Sequence, residues 1–221
     1  MSPAARLGTA ATRALALALP LALLLALAGA CTQQGRSGGR ASGGAGPAAG
    51  EASEPGAGAP AASLFELAFP LTDGEGRTRH LSDLRGRPFV ASMIYTNCTS
   101  VCPRLTADLQ ALERALPGPA RTRTRFVLFS LDPERDTPAA LQRFAAEHAL
   151  DTTRWTLMAA GPDDMRTLAA VLDVRFRPDG AGEIAHSAVI AVVDSAGVIR
   201  HRQTGVGKDP APLVAAIEAA R

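Results

Sequence analysis

Two cysteines four positions apart, Cys98 and Cys102, lie between an apolar run and a proline-led helix, and this placement constrains the fold more than any other feature of the 221-residue chain. Residues 89–95 (Phe-Val-Ala-Ser-Met-Ile-Tyr) are apolar and rich in strand formers, which predicts a buried central strand. Residues 103–116 open with Pro103, suited to the first turn of a helix, and set Leu105, Leu109, Leu112 and Leu116 on one face. The pair therefore occupies a loop that leaves a strand and enters a helix. There the positive end of the helix dipole and its unpaired N–H groups favour the thiolate, the form that attacks disulfides and binds metals. Three intervening residues suit either a disulfide or two thiolates turned toward one ion. A purely structural disulfide would close only a short loop, and loop-closure stabilisation falls as the loop shortens.

The rest of the C-terminal portion alternates strand and helix patterns. Residues 64–69 and 77–81, around the Asp73-Gly74 turn signal, predict an N-terminal β-hairpin. Strands are expected at 124–131 and 155–159. Helices are expected at 138–149, with Thr137 as N-cap, and from Pro162 to about residue 173. Residues 187–194 and 198–203 predict a C-terminal hairpin turned at Ser195-Ala196-Gly197, followed by a helix over 210–220. Residues 177–185 carry no regular pattern. This order indicates an α/β sandwich with a mixed central sheet. With two cysteines at a helix N-terminus in the first β-loop-α unit, it points to the thioredoxin-like class.

The first 62 residues have a different character. Arg6 and Arg13, the apolar residues 14–27 and the small residues Ala28, Gly29 and Ala30 together have the anatomy of an export signal. Cys31 follows directly, as in a bacterial lipobox, which makes it the candidate for lipidation. An uncleaved anchor is the alternative, though the run from Ala14 to Ala30 has 17 residues, short of the about 20 that span a bilayer. Residues 31–62, rich in Gly, Ala, Ser and Pro, read as a flexible linker reaching about 30 Å. The expected organisation is a signal at 1–30, a lipid-anchored linker at 31–62 and a folded domain at 63–221, held outside the cytoplasm by its N-terminal membrane tether. A net charge of +2 with no basic cluster argues against a nucleic-acid partner.

Three blocks carry a family likeness: residues 93–103 (Met-Ile-Tyr-Thr-Asn-Cys-Thr-Ser-Val-Cys-Pro), residues 130–138 (Ser-Leu-Asp-Pro-Glu-Arg-Asp-Thr-Pro), and His186-Ser187-Ala188-Val189-Ile190 with 193–197 after it. In this order and spacing they resemble the Sco/SenC family, over nearly all of 63–221. The resemblance implies a thioredoxin fold and copper held by two cysteines and a distant histidine, here Cys98, Cys102 and His186. It also implies a role in assembling the binuclear copper centre of cytochrome c oxidase. The expected partners are a copper-accepting oxidase subunit, a thiol reductant and another copper carrier. Many members carry Pro and Asp between the cysteines and an Asp before the histidine; this chain has Thr99, Ser100 and Ala185.

The donor chemistry agrees. Soft thiolates select Cu(I), and imidazole suits copper in either state. Zinc could use the same set with a water as fourth ligand. Outside the cytoplasm the two thiols must first be reduced. Read from the residues alone, the cysteines equally serve a thiol–disulfide oxidoreductase, with Cys98 and Cys102 as its redox-active catalytic pair. A peroxide-consuming thiol peroxidase would need Thr and Pro at another spacing and an activating Arg. His80, His148 and His201 read as surface residues. The charged turn 132–136 reads as turn and capping chemistry, and Met93 and Met158 as core.

Overall fold

A computed structural model describes residues 62–180 and 182–220. The expected export signal, Cys31 and nearly all of the expected linker lie outside the described residues. Seven strands form one sheet: β1 (Leu71–Asp73), β2 (Thr78–Arg79), β3 (Phe89–Ile94), β4 (Arg125–Ser130), β5 (Trp155–Ala160), β8 (Val189–Val193) and β9 (Ile199–Thr204). A separate two-stranded sheet pairs β6 (Phe176–Pro178) with β7 (Ile184–His186). The helices are α1 (Val101–Ala115), α2 (Gly118–Arg123), α3 (Pro138–Glu147), α4 (Pro162–Leu172) and α5 (Ala211–Ala219).

The main sheet runs in the order β2-β1-β5-β4-β3-β8-β9. Its centre, β3-β4-β5, is parallel, and β1 and β8 flank it antiparallel. Strands of this kind carry helices on both faces, so they read as unbroken apolar runs. Every residue of β3 and of β8 is buried, whereas β9, at the sheet edge, alternates half-buried with exposed positions. Trp155 stacks on Phe126 at 4.6 Å between ring centroids and donates its indole N–H to Glu113 of α1 at 2.8 Å. This is the mixed sheet and thioredoxin-like layering expected from the sequence, and Met93 and Met158 lie in its core.

Four local expectations need correction. Residues 64–69 do not form the first hairpin strand. Leu64–Glu66 is a 3-10 turn capped by Ser63, and the hairpin is the shorter β1/β2 pair. The apolar side chains of Leu64 and Phe65 are buried all the same, which is why the run resembles a strand. Return-strand residues beyond Arg79 form a second 3-10 turn, Leu81–Leu84. The Pro117-Gly118-Pro119 breaker ends α1 but also opens α2, because Pro is tolerated in the first turn of a helix. Residues 177–185, expected to be irregular, supply most of β6 and β7.

One register places the site. Antiparallel pairing sets Phe89 opposite Val193 and Ala91 opposite Ala191, so β8 begins where β3 ends. Only Ser187 and Ala188 separate His186, the last residue of β7, from β8, which brings it to the end of the sheet where β3 runs into the cysteine loop.

Candidate metal centre

Cys98 and Cys102 frame the start of α1. The helix begins at Val101, two residues before the expected Pro103, with Ser100 as its N-cap residue but without a bond from the serine side chain. The backbone N–H of Cys102 instead donates to the Cys98 sulfur at 3.3 Å. A sulfur thus takes one of the donors that a helix N-terminus leaves unpaired, and the helix extends by two residues. Both cysteines are free thiols. Cys98 is 6% exposed and Cys102 fully buried, so the sulfurs are sheltered from bulk water.

The two thiols are electrostatically unequal. Burial works against ionisation of Cys98, but hydrogen bonds from the Cys102 thiol and from the backbone of Cys102 and Ser100 outweigh it and hold its pKa below the ordinary thiol value. Burial drives the Cys102 thiol strongly upward, and the neighbouring Cys98 adds to the shift. The pair therefore ionises first at Cys98.

His186 closes β7, two residues short of β8, and meets the pair there. Its Nε2 lies 3.4 Å from the Cys102 sulfur. Its Nδ1 lies 3.1 Å from the carbonyl oxygen of Ser187. A carbonyl only accepts, so Nδ1 carries the proton and the Nε2 lone pair points toward the sulfurs. Burial pushes the imidazole below its ordinary pKa, which keeps it neutral and able to ligate. The ligating atoms of Cys98, Cys102 and His186 all lie within 4.8 Å of one another. Thiolate–metal bonds run about 2.3 Å, so two ligands sharing one ion stand at most about 4.6 Å apart. The observed spread is close to that limit, and the donor set fits a thiophilic ion.

The other histidines lie elsewhere. His80 is exposed, as expected. His148 and His201 are half-buried rather than solvated: the His148 ring rests on Phe144 at 4.3 Å, and His201, on β9, pairs with Val192 of β8.

Supporting residues around the cysteine loop escape a reading by motif. Asp136 is buried; one carboxylate oxygen accepts from the Thr96 N–H at 3.0 Å and the Thr96 hydroxyl at 2.6 Å, the other from the Ser130 hydroxyl at 2.6 Å. The charged turn 132–136 does perform the expected turn chemistry, and Thr137 caps α3 by accepting from the Ala140 N–H. Its last acid also fastens the entrance of the cysteine loop, a role visible only once β3 and β4 lie side by side. Tyr95, the single tyrosine of the chain, is buried at the end of β3 and reaches the hairpin that carries His186.

Comparison with known proteins places this geometry in a family. The SCO1/SenC family model matches residues 57–220. The chain belongs to the SCO1/SenC family. Over 148 residues it is 26% identical to the SCO1 protein homolog of Bacillus subtilis, covering 64% of this chain and 75% of that one. A crystal structure from Aquifex aeolicus VF5 superposes with a TM-score of 0.65 at 28% identity, covering 72% of this chain and 93% of the other. ScoI of Bradyrhizobium japonicum, solved with copper bound, shares the fold at 24% identity and a TM-score of 0.57, over 69% of this chain and 97% of its own. The family blocks of this SCO1/SenC domain are those that build the site: the cysteine loop, the 130–138 turn beneath it and the His186 strand.

Proposed function

We propose that this SCO1/SenC domain binds one copper ion through Cys98, Cys102 and His186 and delivers it to the binuclear copper centre of a cytochrome c oxidase. The observation that carries this reading is the meeting of two thiols and a neutral imidazole, far apart in sequence, within 4.8 Å. Two soft sulfurs and one nitrogen suit Cu(I) in three-coordination, which leaves a position open for an acceptor's ligand. The copper-bound relative of the same fold supports the choice of metal. The oxidase as destination follows from the family resemblance. Delivery also calls for a reductant that keeps Cys98 and Cys102 as thiols, and for a carrier that supplies copper.

Titration of the reduced protein with Cu(I) tests the site. The expected result is one tightly bound ion per chain, with sulfur and nitrogen neighbours in X-ray absorption, and an affinity that falls at least about tenfold in His186→Ala. Unchanged binding in that variant overturns the three-ligand centre.

The unequal thiols favour a second reading, a thiol–disulfide oxidoreductase in which Cys98 attacks and Cys102 resolves. It requires disulfide exchange with a model substrate that survives His186→Ala and disappears in Cys98→Ser. Loss of exchange in His186→Ala would argue against it.

We further propose that residues 1–30 direct export, that Cys31 is acylated, and that residues 31–62 tether the domain to the outer face of a membrane. The anatomy of residues 6–31 supports this. An intact Met1 on the mature protein, read by mass spectrometry, would contradict it.

A further inference from the structure

The hairpin that brings His186 to the sulfurs is structurally separate from the main sheet. Among the described residues, β6 and β7 pair only with each other. A lone two-stranded hairpin is marginally stable in water, so its position depends on what ties it down. Phe176 and Ile184 pack against the core, but apolar contacts are non-directional and do not fix a strand along its own axis. The directional ties are polar. The Tyr95 hydroxyl donates to Glu183 Oε2 at 2.7 Å and accepts from the Ile184 backbone N–H at 3.2 Å. A second clasp runs from Arg135 Nη2 to the Gly182 carbonyl at 2.7 Å.

Tyr95 is well placed to govern both halves of the centre. It is 1% exposed and sits where β3 ends, and its carbonyl accepts from the Cys98 N–H at 3.2 Å. Its ring stands edge-on to the His186 imidazole, 5.9 Å between centroids at 72°. Its hydroxyl holds Ile184, two residues before His186 and on the same face of the strand, roughly 7 Å along the chain. One rigid side chain thus touches the cysteine loop through its backbone and the histidine strand through its ring and hydroxyl.

We propose that Tyr95 and Glu183 form a latch that sets His186 at its distance from the two sulfurs, making both of them positioning residues of the metal centre. This rests on the three-ligand reading above. Opening the latch lets the hairpin drift and costs the nitrogen ligand while leaving both sulfurs in place. The latch thereby determines how readily the third ligand is released when the ion passes to an acceptor.

Glu183 provides the cleaner variant, because Tyr95 also meets the cysteine loop through its carbonyl and the His186 imidazole through its ring. Cu(I) affinity of the reduced full-length protein is measured by competition with a chromophoric chelator. The variants are Glu183→Ala, Glu183→Gln and Tyr95→Phe, with Glu183→Ala and Tyr95→Phe also made on the His186→Ala background. Glu183→Ala and Tyr95→Phe are expected to weaken binding about tenfold, within the range for residues that orient a ligand. Glu183→Gln, which keeps an acceptor oxygen, is expected to restore affinity. Without His186, Glu183→Ala is expected to have no further effect, because the latch acts through the imidazole. Amide exchange in the metal-free protein is expected to quicken at residues 182–186 in Glu183→Ala and Tyr95→Phe. If His186→Ala weakens binding while Glu183→Ala does not, the latch is wrong and the three-ligand centre stands. An equal loss from Glu183→Ala with and without His186 also overturns the latch. If His186→Ala changes nothing, the three-ligand centre and the latch fall together.

Discussion

At the scale of single residues, two sulfurs of the same element behave as different chemical groups because their surroundings differ. Cys98 collects hydrogen bonds that favour its thiolate, whereas Cys102 is sealed in the core beside it. In the metal-free protein, alkylation is therefore expected to begin at Cys98. Its rate should level off at a lower pH than that of a free thiol. Peptide mass spectrometry checks this, and first labelling at Cys102 would contradict it. Asp194 shows the same logic in a carboxylate. Burial raises its pKa, but bonds from the Val198 N–H, the Arg200 guanidinium at 2.6 Å and the Ala196 N–H bring it below the ordinary value. A carboxylate depressed on folding stabilises the fold above its unfolded pKa of about 4 and loses that contribution as the pH falls through the folded value. Asp194→Asn should cost about 1–3 kcal/mol at neutral pH by breaking this network. It should also flatten the decline in stability below about pH 4. Urea melts across that range measure both effects, and an unaltered acid limb would contradict the assignment.

At the scale of elements, the chain joins short pieces by contacts that no local pattern announces. The 3-10 turn Leu64–Glu66 docks on the β8–β9 turn: the Leu64 N–H donates to the Gly197 carbonyl at 2.9 Å, and the Ser63 hydroxyl to Ala196 at 2.6 Å. Gly197 has φ +85°, and a Cβ there would lie 2.6 Å from Phe65 Cδ2. Gly197→Ala therefore combines backbone strain with a collision against a buried ring. It should destabilise by about 1–3 kcal/mol. Gly76→Ala, at φ +75° with no heavy atom within 4 Å, isolates the strain alone and should cost less. Equal losses in thermal melts would show that the docking contact is unimportant. The start of α1 teaches a related lesson. Pro103 marks a helix start correctly in kind, but the Cys98 sulfur carries the helix back to Val101.

At the scale of the whole molecule, the site joins segments nearly ninety residues apart, so an ion bound there cross-braces the fold. Binding to the native state alone adds about 2.7 kcal/mol at a hundredfold excess of free ligand over Kd. For a domain of this size that corresponds to a rise of roughly 5–10 °C in Tm. The rise should appear when Cu(I) is added to the reduced protein, and scanning calorimetry should find it much reduced in His186→Ala and absent in Cys98→Ser. An equal rise in all three proteins would place the ion elsewhere.

The amino-acid sequence by itself determined the class of fold and the cysteine pair's setting, because both are written in neighbouring residues. Residues 89–95 are apolar enough to lie at the centre of a sheet. Cys98 and Cys102 follow at once, and leucines at helical spacing come after. The blocks around Cys98, Asp132 and His186 likewise carried the family likeness. Tertiary structure alone decided how His186 meets the sulfurs, that Asp136 fastens the entrance of the cysteine loop at Thr96, and that Tyr95 reaches Glu183. Those meetings depend on the registers of β4 and β8 on β3 and on where the β6/β7 hairpin docks beside Tyr95. Register is set by hydrogen bonds and packing between segments distant along the chain, so local periodicity records which residues are buried but not which of them meet.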